Sequence, residues 1–439
     1  MRSLRGVRKG SALRALAGVF AISWAVRLAL FTFVLIQIDE DQLRQATPDV
    51  ANYFAASDAI LDLDLLDPSL SSFGPGQPVY IAFLRTVFVD DARFMLAFNL
   101  LIGAIGSFLL GFLAWRLTDD ARAAWLAGLI HALSPSAISL SLILLSDTLY
   151  FTLVAGGLLL FVQALKSEQK WIFLLCGIWF GLTPLIRSIG VFLPLLLPVI
   201  GWLLLRRHRL DSFRPMWHRI AWPVLTALIS FALLWCYTLR PRTPEDPPIS
   251  FPAYSGMMKL ASKIHARVDG IGYDSAWARA CRRADSVQGA RQCGPMEAYM
   301  AQSISEFRGC VKSYPLKSAQ VMFNNTWSNA NDEHIIIGAS LPRWQPSYRE
   351  YERWAERNFV HYRHLAFMLL GLVMLGIHRR WDVLWTALII YAYFLVTSAM
   401  TLEWGNRTFH PGLIGWAIPA GYALSMLVGC LRKQRLDTA

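Results

Sequence analysis

Of the 439 residues, 55% are hydrophobic and only 16% are charged, against roughly 25% in an average globular domain. Long apolar runs alternate with short clusters of Arg, Lys, Asp and Pro, which argues against a soluble fold. The formal net charge of +12 gathers in short loops between those runs. Membrane insertion sets that pattern, and it lacks the basic patch on a soluble domain that nucleic-acid binding needs.

In chain order, a basic stretch Met1 to Arg14 precedes an apolar run from about Leu16 to Ile38. That run is longer than the apolar stretch of a cleaved signal peptide and reads as a retained first span. Ten spans are predicted, at 15–38, 92–114, 121–145, 147–165, 171–186, 188–205, 220–239, 363–378, 383–401 and 411–430. With ten spans, Arg116 and Arg122, Lys166 and Lys170, the cluster Arg206 to Arg219, Arg379 and Arg380, and Arg432 to Arg435 all fall on one face with the N-terminal arginines. That face is expected to be cytoplasmic. The predicted division is a transmembrane module 1–239, a loop domain 240–362 and C-terminal helices 363–439.

The opposite face carries two long loops, about 39–91 and 240–362. In the first, Thr47-Pro48-Asp49 reads as a helix start, with Thr47 as N-cap and Pro48 at the first position. Val50, Tyr53, Phe54, Ile60 and Leu61 then share one side at helical spacing, interrupted by Ser57, with Asn52, Asp58 and Asp62 away from it. Such a helix is expected to lie along the membrane surface, with Asp49 at membrane level. An acidic residue in a first turn also complements the helix dipole and needs no function for that. The triplet Asp39-Glu40-Asp41 reads as a solvated edge. The second loop opens Pro-rich, then shows helical spacing over Met257–Val268 and Met296–Phe307. Its Asn325 and Trp327 carry no functional argument. No zinc spacing joins the six cysteines. Cys281, Cys293 and Cys310 in this loop would allow one disulfide if the loop is extracytoplasmic, leaving one thiol over.

Several short motifs, in order, resemble the GT-C superfamily, in the bacterial branch related to dolichyl-phosphate-mannose and aminoarabinose transferases. They are Asp49-Val50-Ala51-Asn52-Tyr53, Gly74-Pro75-Gly76-Gln77-Pro78-Val79-Tyr80, Ser134-Pro135-Ser136 with Ser146-Asp147-Thr148-Leu149-Tyr150, Leu185-Ile186-Arg187-Ser188, and Arg407-Thr408-Phe409-His410-Pro411. Asp147 stands where the family often has Glu, and Ser188 where it often has Pro. The resemblance covers most of 15–210 and again 380–430. It implies an all-α polytopic membrane enzyme with a surface helix in the first outer loop and a small helical insertion. It also implies sugar transfer from a polyprenyl-phosphate-linked donor to a lipid, glycan or protein acceptor at the periplasmic face of a bacterial inner membrane.

On that resemblance Asp49 is the general base, and direct attack would invert the anomeric carbon. Arg187 and Arg407, at outer ends of spans, suit a leaving phosphate, and equally suit snorkelling arginines. Glu403 and His410 neighbour Arg407. Tyr53 and Tyr80 fall within the family's motifs as substrate contacts. Asp147 would orient the acceptor or share a metal with Asp49, and would equally cap a helix. No cofactor is expected, and a divalent metal stays open; no P-loop or dinucleotide fingerprint is present. Arg27, near the middle of the first span, calls for an ion-pair partner inside the bundle. His131 reads as a hydrogen-bonded core residue. Trp171 and Trp179 suit interface belts. The rival functions are a lipid or small-molecule transporter and an O-antigen-type polymerase or ligase.

Overall fold

The computed structural model describes residues 9–37, 39–64, 75–167, 169–190, 192–206, 252–291, 295–331, 362–399 and 409–437, with scattered positions between 221 and 232. Among these residues every regular element is a helix. The expected span 220–239, the Pro-rich stretch, Glu403, Arg407, Cys236 and Cys293 lie outside them or almost wholly so.

The helices are α1 (Lys9–Gln37), α2 (Glu40–Arg44), α3 (Pro48–Leu61), α4 (Gly76–Val87), α5 (Ala92–Thr118), α6 (Ala121–Ala132), α7 (Pro135–Ser141), α8 (Ser146–Ser167), α9 (Lys170–Ile186) and α10 (Leu197–Arg206). Then follow α11 (Pro252–Asp269), α12 (Tyr273–Arg291), α13 (Pro295–Ser313), α14 (Pro315–Asn331), α15 (Tyr362–Ile377), α16 (Trp381–Ala399) and α17 (Leu413–Asp437). Five helices are long and apolar enough to cross a bilayer: Ala12–Thr32, Ala92–Thr118, Ser146–Lys166, Trp381–Ser398 and His410–Leu431. The predicted span 121–145 is broken. Its halves α6 and α7 meet at 58°, and together they count as a sixth. Ser134 precedes Pro135, and a residue before proline is pushed out of the helical region; Ser134 is extended and caps α7 instead. Shorter apolar helices occupy Trp171–Ile186, Leu193–Arg206 and Ala366–Ile377.

α5 packs against α1, α6 and α8, and α17 against α6 and α15. Small residues allow the closest approaches: a side chain at Gly421 would meet the Ala123 carbonyl at 2.7 Å and the Ala127 nitrogen at 2.8 Å. At one end of the bundle Arg380 donates to the α5 carbonyls of Leu117 and Thr118, Lys166 Nζ to Arg116 O at 2.6 Å, and Ser425 Oγ to Asp120 at 2.7 Å. These are loops that the charge pattern assigned to one face. α8 has 22 residues, so its start lies ~33 Å away, at the other end.

At that end α3 does not bury its apolar side in lipid alone. Val50, Tyr53 and Phe54 join a core with α4, α5 and the turn after α7. Asn52, Asp58 and Asp62 are exposed, as the spacing requires, but so is Leu61. Ser57 is buried and accepts from Arg85 Nη1 at 2.6 Å. The second long loop folds into α11–α14 around Leu260, Ala261, Ile264, Cys310 and Val321. Glu306 of α13 ties it together, through His265 of α11 at 3.0 Å and Arg283 of α12 at 2.5 Å. Burial pushes the Cys310 thiol up to about 11. Asn325 is buried and accepts from Lys263 at 2.7 Å. Trp171 is exposed, and Trp179 is half-buried and donates to Leu153 O at 2.6 Å.

Candidate active site

The sequence of the first outer loop fixes where Asp49 stands. Thr47 is extended, its hydroxyl accepts from Val50 N at 3.2 Å, and Pro48 opens α3. Asp49 is therefore the second helical residue, half-buried. Tyr53, one turn on, is buried and reaches the start of α8, with its hydroxyl 3.4 Å from Ser146 Oγ. Asp147 follows in the first turn of α8, its side chain fully buried. It ion-pairs with Arg187, which ends α9 in an extended conformation. Three elements far apart in sequence thus bring Asp49, Tyr53, Asp147 and Arg187 to one end of the bundle.

A clamp of charges outside the spans holds α3 there. Arg85 of α4 pairs with Asp58 at 2.6 Å and Asp90 at 2.8 Å, and Arg44 of α2 pairs with Asp90 at 2.7 Å and Glu40 at 2.8 Å. Burial alone would push Asp90 up; hydrogen bonds and charge from Arg85 and Arg44 outweigh it and hold the carboxyl below its ordinary value. The solvated-edge reading of 39–41 is refined: Asp39 and Gln42 form a capping box at the start of α2.

The turn 142–145, which delivers Asp147, is buried, so its carbonyls need protein partners. Asn99 Nδ2 donates to Ser141 O and Ile143 O, both at 2.9 Å, and Gln77 Nε2 to Leu144 O at 3.2 Å. Arg27 braces the α6–α7 break. Its Nη1 donates to Ala132 O at 3.1 Å, a carbonyl at the negative end of α6, and its Nε to Ser141 Oγ at 3.1 Å. The expected ion pair is corrected: no carboxylate pairs with Arg27 among the described residues, and hydroxyls and carbonyls take its place.

His410 opens a short turn before α17 and is buried, its ring 4.9 Å from Phe151 and 5.4 Å from His131. Arg187 and Arg27 are both within electrostatic reach of it. His131 is the hydrogen-bonded core residue expected, with Ser107 Oγ 2.8 Å from its Nδ1. Tyr80 packs at the edge of the cluster that holds Tyr53. Among the described residues no group of three His, Cys, Asp or Glu could hold a metal.

Lys259 of α11 is one residue that sequence reasoning missed. Burial pushes its ammonium down, and the Asp49 charge opposes that shift, so Lys259 lies within electrostatic reach of Asp49. Nothing in the local pattern of α11 singles it out. Asn99 and Gln77 were also missed, although for Asn99 a polar residue inside an apolar run is itself a signal.

Residues 73–235 match the family model described as dolichyl-phosphate-mannose-protein mannosyltransferase. No curated protein matches. The archaeal oligosaccharyltransferase AglB from Archaeoglobus fulgidus, solved with an inhibitory peptide and a dolichol-phosphate, superposes with a TM-score of 0.50 at 13% identity over 98% of this chain. The chain spans about half of that protein, 51% of its length. ArnT from Cupriavidus metallidurans, solved with undecaprenyl phosphate, covers 95% of this chain and is itself covered over 78%, at 14% identity and a TM-score of 0.40, too loose a superposition to argue from. The motif-level resemblance to GT-C glycosyltransferases is thus met by the family match and by a shared fold.

Proposed function

We propose that this protein is an integral membrane glycosyltransferase that moves a sugar from a polyprenyl-phosphate-linked donor to a lipid, glycan or protein acceptor on the extracytoplasmic face. The observation that carries the reading is the convergence of Asp49 and Tyr53 on α3 with Ser146, Asp147 and Arg187. The family match over 73–235 and the dolichol-phosphate bound in the archaeal oligosaccharyltransferase support the donor class.

The Asp49 carboxylate takes the acceptor's proton while the acceptor oxygen or nitrogen attacks the anomeric carbon. The bond from that carbon to the phosphate oxygen breaks, and polyprenyl phosphate leaves with the bonding pair. A single displacement inverts the anomeric centre. Arg187 meets the developing phosphate charge, with Arg407, Glu403 and His410 as the further donor contacts; Tyr53, Tyr80 and Asp147 line the acceptor side. Lys259 brings the helical outer segment to the base, and that segment then shapes acceptor choice.

The test is transfer by the purified full chain in lipid nanodiscs, supplied with polyprenyl-phosphate sugars and candidate acceptors, with the product's anomeric configuration read by NMR. Transfer with inversion supports the reading. Transfer with retention removes the direct displacement. Movement of intact donor across vesicles without transfer gives the protein to the transporter class, for which the broken α6–α7 span would be the structural basis.

A further inference from the structure

Inside the spanning bundle, Arg27 Nη2, Thr148 Oγ1, His131 Nε2 and His410 Nδ1 are buried and have no hydrogen-bond partner among the described residues. They belong to one neighbourhood. A methyl added at Gly103 would lie 2.9 Å from Arg27 Nε and 3.4 Å from Thr148 Cγ2, so arginine and threonine meet across a residue with no side chain. The His131 and His410 rings are 5.4 Å apart, and the Arg27 charge reaches both. A hydroxyl chain links the two ends: Arg27 Nη1 to Ser23 Oγ at 2.5 Å, Ser23 Oγ to Ser107 Oγ at 2.9 Å, and Ser107 Oγ to His131 Nδ1 at 2.8 Å.

The chemistry of this set is one-sided. It holds a guanidinium, a hydroxyl and two imidazoles, and no carboxylate compensates Arg27 among the described residues. A cation buried at membrane depth without a counter-charge is strongly disfavoured. With exposures of 0% for Arg27, 2% for His131 and His410 and 4% for Thr148, the cluster is closed to bulk solvent, which favours a small ion as occupant. We propose that the cluster binds one halide-sized monovalent anion, chloride in ordinary media, held by Arg27 and Thr148 beside the His131 and His410 rings. The anion neutralises Arg27 without drawing it to Asp147, so Arg27 stays on the α6–α7 break and Arg187 keeps its acidic partner.

The experiment needs no enzymatic activity and so stands apart from the proposed function. Thermal unfolding of the full chain in zwitterionic nanodiscs is followed by tryptophan fluorescence while chloride replaces gluconate at constant ionic strength. The expected result is a saturable rise in Tm with chloride. Arg27→Met should abolish the rise, and Thr148→Val should move its midpoint about tenfold to higher chloride, the effect of losing one hydrogen bond to a charged group. Should Arg27→Met fail to fold, Thr148→Val decides. The proposal is overturned by a wild-type Tm that ignores chloride, as expected if water alone fills the cluster, or by a chloride response unchanged in both variants. An Arg27-dependent rise with polyprenyl phosphate but not with chloride also overturns it, and assigns the cluster to the donor.

Discussion

Arg44 and Arg85 in the first outer loop and Arg27 in the first span face the same problem in two solvents. The outer pair share Glu40, Asp58 and Asp90, carboxylates half-exposed to water. Among the described residues Arg27 has only Ser23, Ser141 and two backbone carbonyls. In water, ionised partners are cheap to keep and each pair stabilises little. In the bundle, each added charge needs desolvating, so neutral dipoles do the holding and each polar contact matters more. The site lies between these regions, with half-buried Asp49 held by the outer clamp and buried Asp147 by the inner polar contacts.

The sharpest break on the inner side is Arg187→Ala, which leaves Asp147 buried without its ion-pair partner. It should lower stability by about 3–5 kcal/mol, read as a fall in Tm, and Asp147→Asn added to it should recover much of the loss. Next comes Asn99→Leu, which strips the hydrogen bonds from two carbonyls of the buried turn and should lower stability by about 2–3 kcal/mol, insensitive to salt. On the outer side, Asp90→Asn should lower stability by about 1 kcal/mol or less, and high salt should erase the difference from wild type. Because Asp90 titrates below its ordinary value when folded, its contribution is present above the unfolded value and fades as pH falls through the folded one. Wild type should therefore lose stability below about pH 4, and Asp90→Asn should show a shallower acid slope. An outer variant as damaging and as salt-insensitive as an inner one would break the comparison.

The spans were legible because apolar runs of membrane length have few other uses. The start of α3 was legible because its signals, Thr47, Pro48 and the acid behind them, are local. What stayed hidden was non-local. Arg187 is 40 residues from Asp147, and Arg27 is 114 from Ser141 and 105 from Ala132. No periodicity encodes such meetings. The rule that a buried ion seeks a carboxylate misled for Arg27, since serines and backbone carbonyls take its Nε and Nη1 among the described residues. Asp58 looked like a solvent-side charge until folding brought Arg85 against it. The kink after α6 was written in Ser134-Pro135, which was read as a motif and not as a break.

Asp49 is the proposed base of the sugar transfer. Initial rates with one polyprenyl-phosphate sugar and its acceptor, in wild type and in Asp49→Asn of equal Tm, test it most directly. The expected result is transfer by wild type and a loss of about 10²–10⁴-fold in kcat in the variant. Transfer at the wild-type rate by Asp49→Asn would contradict it and leave Asp147 as the carboxylate to test.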